Sequence, residues 1–125
     1  MSAPSYSVVS NYLGNAVLQA YLTASGAWVA LHTSDPTAAG NSGTEVSGGG
    51  YMRQSVSFGV PSSKTIVSTS GIVFSGMPAG TVTHWALWTA QFGGNMLFWA
   101  PMTTPLTVTA SAQIPFAAGD IAVTL

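Results

Sequence analysis

The chain is 125 residues long, which fits one domain over 1–125. Only Arg53 and Lys64 are basic and only Asp35, Glu45 and Asp120 are acidic, 4% of the chain in all, where an average soluble domain carries about 25%; two cations cannot furnish the basic face that binding to phosphates requires, so nucleic-acid partners are excluded. The absence of cysteine rules out a disulfide framework, a thiolate nucleophile and a zinc–thiolate site, and apolar runs broken by Gly, Thr or Pro fall far short of the roughly 20 residues that span a bilayer, so no membrane partner is expected.

In chain order, MSAPSYSVVSNYLGN lacks both the basic start and the uninterrupted apolar stretch of a secretory signal. Residues 7–22, SVVSNYLGNAVLQAYL, are predicted to form a helix within a helical segment over 1–26. Val9, Leu13, Ala16, Val17 and Ala20 recur at three- and four-residue spacing and make one apolar stripe, flanked by Tyr12 and Tyr21. Ser5 or Ser7 is expected to cap its start and Gly26 to end the segment. Gly14 costs about 1 kcal/mol relative to alanine inside a helix, so this helix is expected to hold only when docked, on its own sheet or on another subunit.

From Ala27 onward the hydrophobic period changes to two, and a β-sandwich is predicted over 27–125. AWVALH (27–32) reads as a strand and is followed by a loop over 33–50 rich in Gly, Ser, Thr and Asn. YMRQSVSF (51–58) alternates, with Met52, Val56 and Phe58 expected on the apolar face and Arg53, Ser55 and Ser57 on the polar one. KTIVS (64–68), GIVFS (71–75), TVTHWALW (81–88), NMLFWA (95–100), LTVTA (106–110), AQIPFA (112–117) and DIAVTL (120–125) complete about nine strands. Short strands at near-regular spacing, with Gly, Pro and Ser between them, indicate a mainly β fold, an antiparallel jelly-roll-like sandwich with one N-terminal α-helix. Pro115 cannot donate to a ladder, which places its strand at an edge or a bulge.

His32, Ser34 and Asp35 in LHTSDPTAAG have the residue types of a hydrolase triad. Adjacent residues on an extended strand do not converge as a triad must, and Asp35-Pro36 is a strong turn initiator. A turn with a hydrogen-bonded histidine accounts for the whole stretch. His84 lies mid-strand, there is no Gly-x-Ser-x-Gly elbow, and the histidine spacing suggests no metal site. No catalytic residue, metal or cofactor is therefore expected.

Glu45 and Arg53 are expected to pair and brace the Gly-rich loop, with a small net value if exposed. Glycines 48–50 offer positive-φ backbone ahead of the next strand. Trp28, Trp85, Trp88 and Trp99, with Phe92, Phe98 and Tyr51, invite comparison with a sugar-binding platform. Trp85 and Trp88 face opposite sides of one strand, so one is expected in the core and one outward, at a subunit contact. An apolar content of 47% with so few charges favours association over a free, hydroxyl-rich surface. Tyr12, Tyr21, Tyr51, Arg53, Trp88 and Trp99 are the candidate interface residues of a homo-oligomer.

Several motifs occur together: the turn from Ala30 through Pro36, the stretch EVSGGGYMRQSVSF from Glu45 through Phe58, TVTH from Thr81 through His84, the Gly-Gly-Asn turn from Gly93 through Phe98, and FAAGDIAVTL from Phe116 through Leu125. In these the chain resembles a family of small tailed-bacteriophage virion proteins whose members are often labelled tail fibre or minor structural protein. It departs from the family's pattern between Phe58 and Thr81, and its N-terminal helix is less distinctive. The resemblance implies a structural, non-enzymatic part of the virion, assembled in the bacterial cytoplasm beside major capsid or tail proteins. Small size, a single β domain and near-absence of charge favour a capsid decoration or cement protein. The alternatives are a tail or tail-fibre component, which would bring a host-surface glycan within reach, and a carbohydrate-binding module.

Overall fold

The computed structural model describes residues 7–125. The fold is mainly β and antiparallel, with one helical segment at the N-terminus. A helix α1 (Asn11–Leu18) continues without a break into a π-helical turn (Gln19–Ala24). Eight strands follow: β1 (Ala27–His32), β2 (Gln54–Val56), β3 (Thr65–Val67), β4 (Ile72–Met77), β5 (Gly80–Trp88), β6 (Met96–Val108), β7 (Ala112–Phe116) and β8 (Ala122–Thr124). They form a four-stranded sheet in the order β2-β1-β5-β6 and two ribbons, β3-β8 and β4-β7. No helix among the described residues is long and apolar enough to cross a membrane.

Strand alternation divides the large sheet into two unlike faces. On one, Val29 lies opposite Leu87 and Leu31 opposite Trp85. These side chains meet Ile66 of β3, Phe74 and Met77 of β4, Ile114 of β7 and Val123 of β8 in one core, a sandwich-like arrangement of sheet and ribbons. On the other face Trp28 lies opposite Trp88, Ala30 opposite Ala86 and His32 opposite His84. The loop and turn segments around residues 41–45 and 90–93 cover part of that outer face, through contacts described below.

The two segments read as separate strands, NMLFWA and LTVTA, are one long edge strand, β6. Its pairing with β5 jumps from His84–Pro101 to Val82–Leu106, so residues 102–105 bulge out opposite Thr83. A bulge of this kind tolerates proline and lets pairing resume. Pro115 sits in β7, which among the described residues pairs only with β4, so the expected edge position holds.

The helix departs from expectation in two respects. Ser10, not Ser7, caps it: the Ser10 hydroxyl accepts the Leu13 N–H at 3.2 Å. Ser5 lies outside the described residues. Gly26, with φ +73°, ends the segment as predicted. The larger departure is rotational. The buried positions are Gly14, Leu18 and Leu22, whereas Leu13, Ala16 and Ala20 of the predicted stripe face solvent. Lys64 explains this. A Cβ on Gly14 would stand 2.5 Å from Lys64 Cγ, so glycine makes room for the lysine stem. The Lys64 N–H donates to Asn15 Oδ1 at 2.8 Å and its Nζ to the Val9 carbonyl at 2.8 Å.

Candidate functional site

His32, Ser34 and Asp35 do not converge. The strand ends at His32, and the Asp35 carboxylate turns the chain by accepting the Thr37 N–H at 2.8 Å. Ser34 is left exposed on that turn, while His32 is fully buried. The imidazole Nδ1 lies 2.7 Å from Thr44 Oγ1. Because the Thr44 hydroxyl gives its one hydrogen to the Asn41 carbonyl at 3.0 Å, it accepts from His32, which fixes the proton on Nδ1. Among the described residues the His32 Nε2 and the Trp88 Nε1–H are both buried without a partner, and the two rings stack with centroids 6.2 Å apart. Burial lowers the His32 pKa from its ordinary 6.5; Glu45 opposes that effect, and Arg53 and His84 add to it. The His84 Nδ1 meets Thr83 Oγ1 at 2.8 Å.

The polar constellation that the fold does assemble centres on Glu45 and Arg53. Segment 44–46 runs beside the end of β1: Thr33 N–H donates to Thr44 O and Val46 N–H to Leu31 O, each at 2.9 Å. Strand β2 returns along the same edge and pairs with residues 27–29. Between these paired stretches the chain detours through glycines 48–50, where Gly48 and Gly49 have φ +102° and +56°. Gly50 N–H donates to Gly76 O at 2.7 Å, tying the detour to β4. The Tyr51 hydroxyl fills the gap left in the ladder. It accepts the Leu31 N–H at 3.0 Å and donates to Glu45 Oε2 at 2.7 Å. Burial raises the Tyr51 pKa, and its bond to the Glu45 carboxylate raises it further.

Arg53 completes the cluster and is only 5% exposed. Its Nε and Nη2 donate to the two oxygens of Glu45, each at 2.9 Å, the bidentate geometry that arginine favours with carboxylates. Nη1 donates to the carbonyls of Ala90 at 2.9 Å and Gly93 at 2.7 Å. The guanidinium lies 4.1 Å above the Trp88 ring. Trp88 thus has both a cation and an imidazole against its ring. The expected pair is present, but it is buried, and it clamps three segments: the loop before Glu45, the β5–β6 turn and the outer face of the sheet.

Three of the expected interface residues are therefore committed inside the protomer. Trp88 and Arg53 are buried, and Tyr51 is half-buried with both hydroxyl functions used. The alternation read for 51–58 has the right parity, since Ser55 lies opposite Trp28 on the outer face. Its burial is inverted at the start: Met52 is exposed and Arg53 buried, because the carbonyls of Ala90 and Gly93 roof the outer face at that level. Tyr12, Tyr21 and Trp99 are exposed. The seven aromatics of the presumed platform do not share a surface: Trp85 and Phe98 pack on the core, while Trp88 is buried on the opposite face. A groove of about 300 Å³ beside the cluster is lined by Ser47, Met52, Gln91 and Phe92 together with Glu45 and Arg53.

The roles of Tyr51, Thr44 and Trp88 escaped the reading of the sequence. The spacing of Glu45, Tyr51 and Arg53 around three glycines was the available signal, since a detour in an edge strand exposes a backbone N–H that a hydroxyl can serve.

A family model described as podophage GP4 fiber I protein gp80 matches residues 8–124. The chain belongs to that family. The match runs through the N-terminal helix, the Gly-rich loop, the clamp and all eight strands. It makes the protein a structural component of a bacteriophage virion, as its motifs had implied. No curated protein matches the chain.

Proposed function

We propose that the protein is a non-enzymatic fibre subunit of a podophage virion, rather than a decoration of its capsid. The family description names a fibre protein, and this moves the choice away from the capsid location that size and charge alone had favoured. The observation that supports a structural role is the use made of the Glu45–Arg53 clamp. A catalytic acid or cation must keep a face free for substrate. Here four arginine hydrogen bonds close on Glu45, Ala90 and Gly93, and a hydroxyl takes up more of the carboxylate. The clamp stiffens a loop-rich surface.

Labelling purified virions with antibody to this chain, together with gel densitometry of its copy number, tests the placement. Label confined to the tail region and a copy number of tens or fewer is expected. Hundreds of copies spread over the shell would return the protein to decoration. The non-enzymatic half is tested by incubating purified protein with ester, peptide and glycan substrates. Turnover that His32→Ala abolishes would overturn it.

A further inference from the structure

The helical segment is apolar on both sides. Its inner side, Gly14, Leu18 and Leu22, is already packed. Its outer side presents Tyr12, Leu13 and Tyr21, with Ala16 and Ala20 between them, and Val8 is exposed just ahead of the Ser10 cap. Tyr12 is 86% exposed and Val8 87%. An exposed apolar strip on a helix whose inner side is already packed marks a surface that is covered in the working assembly.

What covers it follows from charge. Residues 7–26 contain no charged side chain. The five charges of the chain are engaged elsewhere: Glu45 and Arg53 on each other, Lys64 on the Val9 carbonyl behind the helix, Asp35 on Thr37 N–H and Asp120 on Ala117 N–H. A charged partner would be desolvated on this face with nothing to pair with. The complementary surface is another neutral, apolar one, and the same helix in a second copy has that character. Ala16 and Ala20, one helical turn apart, allow two such helices to approach closely, with the tyrosines closing over the sides. Full burial of an aromatic side chain removes about 150–250 Å², so the four large side chains alone expose on the order of 500 Å². The alanines extend the face toward the ~800 Å² that each partner buries in a standard interface.

We infer that the outer side of the N-terminal helix is a self-association surface, which joins two copies of this chain through Tyr12, Leu13, Ala16, Ala20 and Tyr21. This deepens the fibre proposal, whose subunits must meet, but the test uses the purified full chain and does not depend on where the virion places it. Sedimentation velocity at tens of micromolar, at low and high ionic strength, is expected to show an oligomer insensitive to salt. The double variant Ala16→Glu, Ala20→Glu is expected to weaken association at least ten-fold with an unchanged far-UV circular dichroism spectrum. Because the chain has no cysteine, Ala20→Cys alone supplies a disulfide probe. It is expected to cross-link under mild oxidation, while Val73→Cys, on an exposed position of β4, is not. Should the double variant fail to fold, the cysteine pair decides. A wild-type monomer at both salt concentrations, or cross-linking at position 73 without cross-linking at position 20, would overturn the inference.

Discussion

The N-terminal helix and the 45–53 segment reverse the usual arrangement of side chains in opposite ways. On the helix, glycine faces in and the tyrosines and alanines face out. In the 45–53 segment an arginine is buried and a methionine exposed. Both inversions come from a long cationic side chain laid along the protein. The Lys64 stem occupies the space that a Cβ on Gly14 would need, and the Arg53 guanidinium lies over Trp88. Each cation ends on backbone carbonyls. The difference lies in the partner. Arg53 also has a half-buried carboxylate and closes a circuit, whereas Lys64 does not and pins only one helix. The clamp should therefore carry much more of the stability.

The largest effect is expected from Arg53→Ala. It leaves Glu45 half-enclosed without its counter-charge and is expected to cost about 3–5 kcal/mol, measured by urea denaturation. A loss below about 1 kcal/mol would show that the clamp is ornamental. Tyr51→Phe comes next. It strips the Leu31 N–H of its acceptor and Glu45 of a donor, at about 1–3 kcal/mol. In the wild type the phenol's raised pKa means that the unfolded chain deprotonates first. Stability is thus expected to fall as pH rises above 10.0, and Tyr51→Phe to remove that part of the alkaline loss.

On the helix, Gly14→Ala sets a propensity gain of about 1 kcal/mol against the collision with Lys64 Cγ. A net loss of about 1 kcal/mol is expected. Adding Lys64→Ala should remove most of that loss, because Cγ and Cδ are gone and only the Cβ contact at 3.2 Å remains, and a double-mutant cycle that shows no coupling would separate Gly14 from Lys64. A smaller, pH-dependent effect belongs to His32. Its folded pKa lies below the unfolded 6.5, so the unfolded state binds the proton first and stability falls as pH drops below 6.5. Denaturation midpoints between pH 7 and 5 should show that slope, flattened in His32→Gln. Least of all, Ser34→Ala on the exposed turn should stay within about 0.5 kcal/mol of the wild type.

Much of this was legible in the sequence. The change of period at Ala27 located the helix-to-sheet boundary, Asp35-Pro36 announced its turn, and Pro115 announced an edge. Three things were not legible, each because a distant segment decided it. The helix's most regular apolar stripe faces outward because Lys64, fifty residues on, occupies the opposite side. Arg53 is buried because the turn near Gly93 passes above it. Strand β6 seemed to be two strands because Pro101 and Pro105 look like punctuation, yet the β5 ladder carries pairing past both. Parity and period report which residues share a face. They do not report which face another segment will cover.

Strand β6 has a further consequence. It is the longest strand and lies at the border of the sheet, so its open side is a template on which other chains could stack into amyloid-like ribbons. Charged side chains, lysine above all, are a common guard of such a border, and this strand has none. Two prolines and the excursion at 102–105 act as its gatekeepers, breaking the row of amide hydrogens that an incoming strand would need. A chain this poor in charge can then reach the local concentrations of particle assembly and still build finite objects rather than runaway fibrils.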